Sequence, residues 1–214
     1  MTYFRQIVDA RSSSFAYLLA DLDKREAVLI DPVATHPGLY LAMLDELQVR
    51  LTHLLLTHAH EPLTPAAQAL RRPTGARLAA GAQSGVADAD LWLKEGERIV
   101  FGDEVLRVWQ TPGHTRGCVS YLWRDRVFSG DSLLLGGTAR TPDVDPGMLF
   151  DSLTRRLLTL SDETLVYPAH DLAGRRVTCI GEARENNPQL TGITRDEFIQ
   201  RQTHALPLLH EEPR

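Results

Sequence analysis

Leu51-Thr52-His53-Leu54-Leu55-Leu56-Thr57-His58-Ala59-His60-Glu61-Pro62-Leu63 is the stretch on which the fold of this chain turns. Leu51–Leu56 is short, with four leucines among its six residues, and reads as a buried strand. Thr57–Pro62 then breaks into a loop with two histidines one residue apart, and Pro65–Arg72 beyond it is patterned as a helix that stops before Pro73-Thr74-Gly75. A strand running into a polar loop and then a helix is a common way to hold reactive side chains on a rigid support.

Toward the N-terminus, Thr2–Val8, Phe15–Ala20 and Glu26–Ile30 read as a meander of strands separated by polar turns. Leu39, Leu41, Ala42, Leu44 and Leu47 recur at three- and four-residue steps between His36 and Val49, which predicts an amphipathic helix. Toward the C-terminus, Arg98–Phe101 and Glu104–Gln110 flank Gly102-Asp103, and Val119–Arg124 and Arg126–Phe128 flank Asp125. Met148–Leu160 has helical period, and Thr164–Tyr167 is a short strand entering Pro168-Ala169-His170. Thr178–Asn186 and Arg195–Thr203 read as closing helices. No low-complexity linker divides the halves. The expected fold is α/β: two β-rich halves packed sheet on sheet with helices outside, a four-layer αβ/βα sandwich forming a single domain over residues 1–214.

At 214 residues with 43% apolar side chains, the chain can bury a real core, which excludes disordered and collagen-like classes. A net charge of −5 argues against nucleic acid and anionic membrane as partners and favours small molecules. Cys118 and Cys179 are too few for a disulfide framework and are not spaced as a CxxC pair. The N-terminal segment lacks a basic region followed by an apolar run, and no stretch reaches about 18 apolar residues. A cytoplasmic protein is expected.

Four of the eight histidines lie in sharp local contexts at predicted strand ends: His58 and His60 in THAH, His114 in TPGHT and His170 in YPAH. Asp131 in SGDS joins them, whereas His36, His53, His204 and His210 read as ordinary surface or core residues. Ala59, Gly113, Gly130 and Ala169 stand beside members of the set and permit tight turns that aim side chains into one space. Neutral imidazole with carboxylate is a donor set for zinc, iron and similar divalent metals.

The ordered series THAHE, TPGHTRGCVSYL, FSGDSLL and YPAHD is similar to the metallo-β-lactamase fold superfamily, over nearly the whole chain. LIDPV, GDSLLLGGTART and ENNPQLTGITRDEF resemble the persulfide dioxygenase branch. That resemblance implies one Fe(II) per chain and the oxidation of a low-molecular-weight persulfide, typically glutathione persulfide, by O2 to sulfite and thiol. It also implies that the metal is held by His58, His114 and Asp131, the catalytic set. Two histidines and a carboxylate leave one coordination face open, as in Fe(II) oxygenases. His60 and His170 would be outer residues that orient ligands or relay protons, Arg140 in GGTART would grip the anionic carrier, and Thr115 would lie beside the metal histidine and touch the substrate. Family members often pair as homodimers.

Where binuclear hydrolases of the superfamily carry an Asp-His pair after the His-x-His stretch, this chain has Pro62 and Leu63, neither of which can ligate a metal. A mononuclear site follows, Pro62 fitting the start of a helix and Leu63 fitting a packed position. The alternatives are a mononuclear zinc hydrolase of a thioester, lactone or related acyl compound, and a metal-binding sensor with little turnover. Further departures stand at Gln189 for the family's arginine, Thr138 for its cysteine and Leu172 for its tyrosine. They point to weaker glutathione binding or a different carrier. Cys118 reads as a packed thiol behind His114 rather than a nucleophile.

Overall fold

The computed structural model describes residues 1–59, 63–138, 144–171 and 174–204. In chain order the elements are β1 (Thr2–Asp9), β2 (Ser14–Asp21), β3 (Glu26–Ile30), α1 (Pro37–Glu46), β4 (Arg50–Leu55), α2 (Leu63–Thr74), β5 (Arg77–Gly81) and β6 (Leu91–Leu93). They continue with β7 (Arg98–Phe101), β8 (Glu104–Gln110), β9 (Val119–Trp123), β10 (Arg126–Gly130), α3 (Pro146–Arg155), a 3-10 turn at Leu157–Thr159, β11 (Leu165–Pro168), β12 (Thr178–Cys179), α4 (Ile180–Asn186) and α5 (Arg195–His204). Among the described residues these strands form two six-stranded sheets, ordered β1-β2-β3-β4-β5-β6 and β12-β11-β10-β9-β8-β7.

Alternation along the strands builds the layers. In β2, Ala16, Leu18 and Ala20 face a core shared with Leu44 of α1 and Ala67 and Leu70 of α2. Phe15, Tyr17 and Leu19 point the other way, into a core shared with Tyr121, Trp123 and Phe128 of the second sheet. Val127 and Val166 face a third core with Leu149 and Leu153 of α3 and Phe198 of α5. Three successive hydrophobic interfaces separate four layers, helices, sheet, sheet, helices, which is the αβ/βα sandwich. With both faces covered, every residue of β2 is buried, which is why this strand reads as a continuous apolar run.

Several elements differ in detail from the sequence reading. The helix expected to stop before Pro73 runs to Thr74, because a proline in the last turn costs only one backbone bond. The Thr74 hydroxyl donates to the Leu70 carbonyl at 2.6 Å, and Gly75, at φ 67°, receives the chain as it leaves. α1 buries Tyr40 and Leu44 while Leu39 is exposed, so its inward face is narrower than the leucine spacing implied. The helix read over Met148–Leu160 ends at Arg155 and tightens into the 3-10 turn. Thr178 and Cys179 pair with β11 before α4 begins. β5 and β6 had no counterpart in the sequence reading. β5 is short and alanine-rich, and small side chains carry little strand signal.

Candidate metal centre

Five strand ends converge at one edge of the sandwich. β3 delivers Asp31, β4 leads through Leu56 and Thr57 to His58, β8 leads to His114, β10 to Asp131 and β11 to His170. The two sheets are tied together at this edge. The Val119 N–H donates to the Thr57 carbonyl at 2.8 Å, the Tyr121 hydroxyl to the Leu56 carbonyl at 2.8 Å, and the Phe15 N–H to the Ala169 carbonyl at 2.7 Å.

Two glycines permit the close approach. At Gly130, φ is 57° and an added Cβ would stand 2.5 Å from Thr57 Oγ1; at Gly113, φ is 138° and it would meet the Leu149 backbone at 2.3 Å. A side chain at either place would push apart the segments that carry His58, His114 and Asp131. The Ser152 hydroxyl of α3 also donates to the Pro112 carbonyl at 2.6 Å, holding the His114 loop against that helix.

His58, His114 and Asp131 are buried, and each presents a donor atom within 4.8 Å of the other two. His58 Nε2 and His114 Nε2 both stand 3.6 Å from Asp131 Oδ2, longer than a hydrogen bond. Donors about 2.1 Å from a shared ion and 90–120° apart would be separated by about 3.0–3.6 Å. The two rings meet edge to face, with centroids 5.0 Å apart and an interplanar angle of 83°. Spacing and donor chemistry therefore fit one divalent metal.

The other carboxylate oxygen is engaged separately: His170 Nδ1 lies 2.7 Å from Asp131 Oδ1. Burial disfavours a charge on Asp131, but the imidazoles of His170, His58 and His114 outweigh it and hold the carboxyl well below the usual range. For His170, burial opposes protonation and the Asp131 carboxylate overcomes it, raising the imidazole pKa.

Asp31 and Thr57 back the His58 side, and the sequence reading assigned neither a role. Asp31 Oδ1 accepts from the Thr57 N–H at 2.8 Å, Asp31 Oδ2 from the Thr57 hydroxyl at 2.7 Å, and Thr57 Oγ1 lies 2.8 Å from His58 Nδ1. Burial pushes the Asp31 carboxyl up to about 7 despite both bonds. The available signal was a charge placed directly after the apolar run Ala27–Ile30, where a buried carboxylate must find partners.

Thr115 follows His114, with its N–H 3.2 Å and its hydroxyl 3.1 Å from Cys118 Sγ. Burial raises the Cys118 thiol to about 11, so it is a packed thiol and not a ready nucleophile. Leu63 is buried in the core beneath α2. His60, Arg140, Pro62 and Leu172 lie outside the described residues. Thr138 and Gln189, two separate departures in sequence, meet in space: Gln189 Oε1 accepts from the Thr138 N–H at 3.0 Å and from its hydroxyl at 2.6 Å. Gln202 of α5 joins them, its amide 2.8 Å from Thr138 Oγ1 and 3.0 Å from Gln189 Oε1.

Residues 61–170 match the metallo-beta-lactamase superfamily. This chain belongs to that superfamily. It is 38% identical to the human mitochondrial persulfide dioxygenase ETHE1 over 205 residues, covering 91% of this chain and 78% of that protein. The crystal structure of ETHE1 from Myxococcus xanthus superposes with a TM-score of 0.92 at 44% identity, covering 96% of this chain and 92% of that one. A hydroxyacylglutathione hydrolase from Cereibacter sphaeroides is 35% identical over 189 residues, covering 86% of this chain and 72% of that protein. Membership in the superfamily agrees with a metal at the triad and with the four-layer fold.

Proposed function

We infer that this protein is a persulfide dioxygenase, a metal-dependent enzyme that oxidises a low-molecular-weight persulfide. One O2 and one water convert RSSH to RSH and sulfite with release of two protons. The observation that carries the reading is the triad of two histidines and one carboxylate found among the described residues, in a chain 38% identical to a persulfide dioxygenase over most of its length. His58, His114 and Asp131 are the proposed ligands of one Fe(II), and zinc is the alternative metal. Bound there, iron would supply open coordination positions and redox chemistry for the persulfide sulfur and O2.

The protein's own residues set the conditions. Ionised Asp131 offers Oδ2 on the side of the two histidines while His170 fixes Oδ1, so the carboxylate has a single orientation. His170, paired with that carboxylate, is a candidate proton carrier as the thiol leaves. Arg140 and Thr115 are the proposed carrier-binding residues, and His60 a second outer residue. The neutral knot at Gln189 points to weaker glutathione binding, or a different carrier, since its amide oxygen is occupied by Thr138 and Gln202.

Hydrolysis is the second reading, favoured by the identity to a hydroxyacylglutathione hydrolase. Against it stand Pro62 and Leu63 where the second metal's Asp-His pair belongs, and Leu63 is packed in the core. The structure contains no described helix long and apolar enough to cross a membrane. We propose the cytoplasm as the compartment and a homodimer as the assembly, checked by fractionation and by light scattering.

Assaying one iron-loaded preparation with glutathione persulfide and with a glutathione thioester separates the two reactions. Sulfite from the first and no thiol release from the second is the expected result. Thioester turnover without sulfite overturns the oxidative reading. Among glutathione, cysteine and coenzyme A persulfides, a clear preference for glutathione would sink the altered-carrier reading.

A further inference from the structure

We propose that the cleft between the His114 loop and the start of α3 binds a free α-amino acid head group on the thiol carrier, Arg116 taking its carboxylate and Asp145 its ammonium. The inference rests on reading this protein as an enzyme that acts on a small thiol carrier, and it adds the class of carrier. Cysteine and the glutamyl end of glutathione carry such a head group, and coenzyme A does not.

Opposite charges that share a cleft without meeting carry the argument. Gly113, Arg116, Val144, Asp145, Pro146 and Met148 line a space of about 440 Å³. Arg116 and Asp145 are both exposed, and among the described residues neither forms an ion pair, with the other or with a third group. Asp145 Oδ1 accepts from the Met148 N–H at 2.9 Å and so caps α3, which leaves Oδ2 open. Arg195, beside Gly147, is turned to Asp151 at 3.3 Å instead. The cleft therefore offers one guanidinium fork, one carboxylate oxygen and the aliphatic surface of Val144, Pro146 and Met148. That is the complement of a zwitterion on a short methylene chain. A simple anion would meet Arg116 and be repelled by Asp145, and a simple cation the reverse.

The frame of the cleft is set before any ligand arrives. The Asp145 N–H donates to the Gly113 carbonyl at 2.8 Å, Gly113 lies against the Leu149 backbone, and the Ser152 hydroxyl donates to the Pro112 carbonyl at 2.6 Å. Binding then has little more than the Arg116 side chain left to order. Gly113 directly precedes His114, which joins the cleft to the proposed metal centre along the chain.

NMR titration of the full chain with S-methylglutathione, and with the same compound acetylated on its α-amino group, tests the proposal. Neither probe needs a metal or carries a persulfide. The native chain is expected to bind the free amine about 10-fold more tightly than the acetylated form, with shifts at the Gly113 amide and the Arg116 side chain. Asp145→Asn keeps a capping side chain but not the charge, and is expected to bind both probes equally. Arg116→Gln is expected to weaken both by about 10-fold and to keep the preference between them.

Equal binding of the two probes by the native chain, or binding of neither, overturns the proposal, a result that requires no variant to fold. A preference that survives in Asp145→Asn also overturns it, since the discrimination then comes from the bulk of the acetyl group. The dioxygenase reading fails separately, through iron-loaded protein that makes no sulfite while the probe preference stands.

Discussion

The loop from Asp131 to Thr138 has two ends built from opposite materials. At its start, a buried carboxylate stands among three imidazoles, and charge decides the geometry. At its far end, Thr138 is held by two neutral amides, Gln189 and Gln202, and no ionised group takes part in those bonds. A buried charge stripped of partners is costly, so the first end tolerates little change. Neutral hydrogen bonds contribute about 1 kcal/mol each and can be exchanged between residue types, so the second end is free to vary with the carrier. On the proposed function, the metal end serves the reaction and the knot end is where carrier preference would differ.

The largest expected contrast comes from Asp131→Ala. Removing a proposed ligand should exceed the about 100-fold loss of metal affinity that outer residues cause, and abolish O2 uptake, read by metal analysis and an oxygen electrode. Retained iron and activity would break the comparison at its charged end. His170→Gln comes next: Asp131 keeps its side toward the histidines but loses its fixed orientation. Metal affinity should fall about 10–100-fold, measured by chelator competition.

Gly130→Ala tests the approach of β10 to Thr57. The positive φ and the clash with Thr57 Oγ1 should cost about 1–3 kcal/mol in a urea titration and lower metal content as well. Gln189→Ala should cost about 1–2 kcal/mol in the same titration, since the Thr138 N–H and hydroxyl lose their shared acceptor, with metal content unchanged. Loss of metal in that variant would show that the two ends of the loop are one unit.

The smallest effect is pH-dependent. The folded pKa of His170 is raised above its ordinary 6.5, so its stabilising contribution to the metal-free protein is full below that value and lost as pH rises through the folded one. Asp131 has the opposite sign: its lowered pKa contributes above the usual carboxylate value of 3.8 and is lost as pH falls toward its folded value. Melting curves of the metal-free protein should therefore decline on the alkaline side of about pH 6.5, and His170→Gln should flatten that decline.

Much of the charged end was legible in the sequence because its residues sit in short loops directly after strands, where small neighbours betray a tight turn. His58, His114, Asp131 and His170 are all of this kind. Asp31 and Thr57 were not singled out, because a hydrogen-bonded chain that closes between two neighbouring strand ends leaves no spacing signal. The knot was visible only as two separate departures, Thr138 and Gln189, and Gln202 was not singled out, since the three come together only when α5 packs on α3. The sandwich itself followed from periodicity, whereas β5 and β6 did not, β5 because its alanines carry little strand signal and β6 because it is only three residues long.

The most direct test is to reconstitute the protein anaerobically with Fe(II), count iron per chain, and follow O2 and sulfite together on adding a persulfide, with a zinc-loaded sample alongside. The expected result is one iron per chain, uptake and sulfite in equal amounts, and none from zinc. Iron bound without uptake, or two metals per chain with thioester hydrolysis, would contradict a mononuclear dioxygenase.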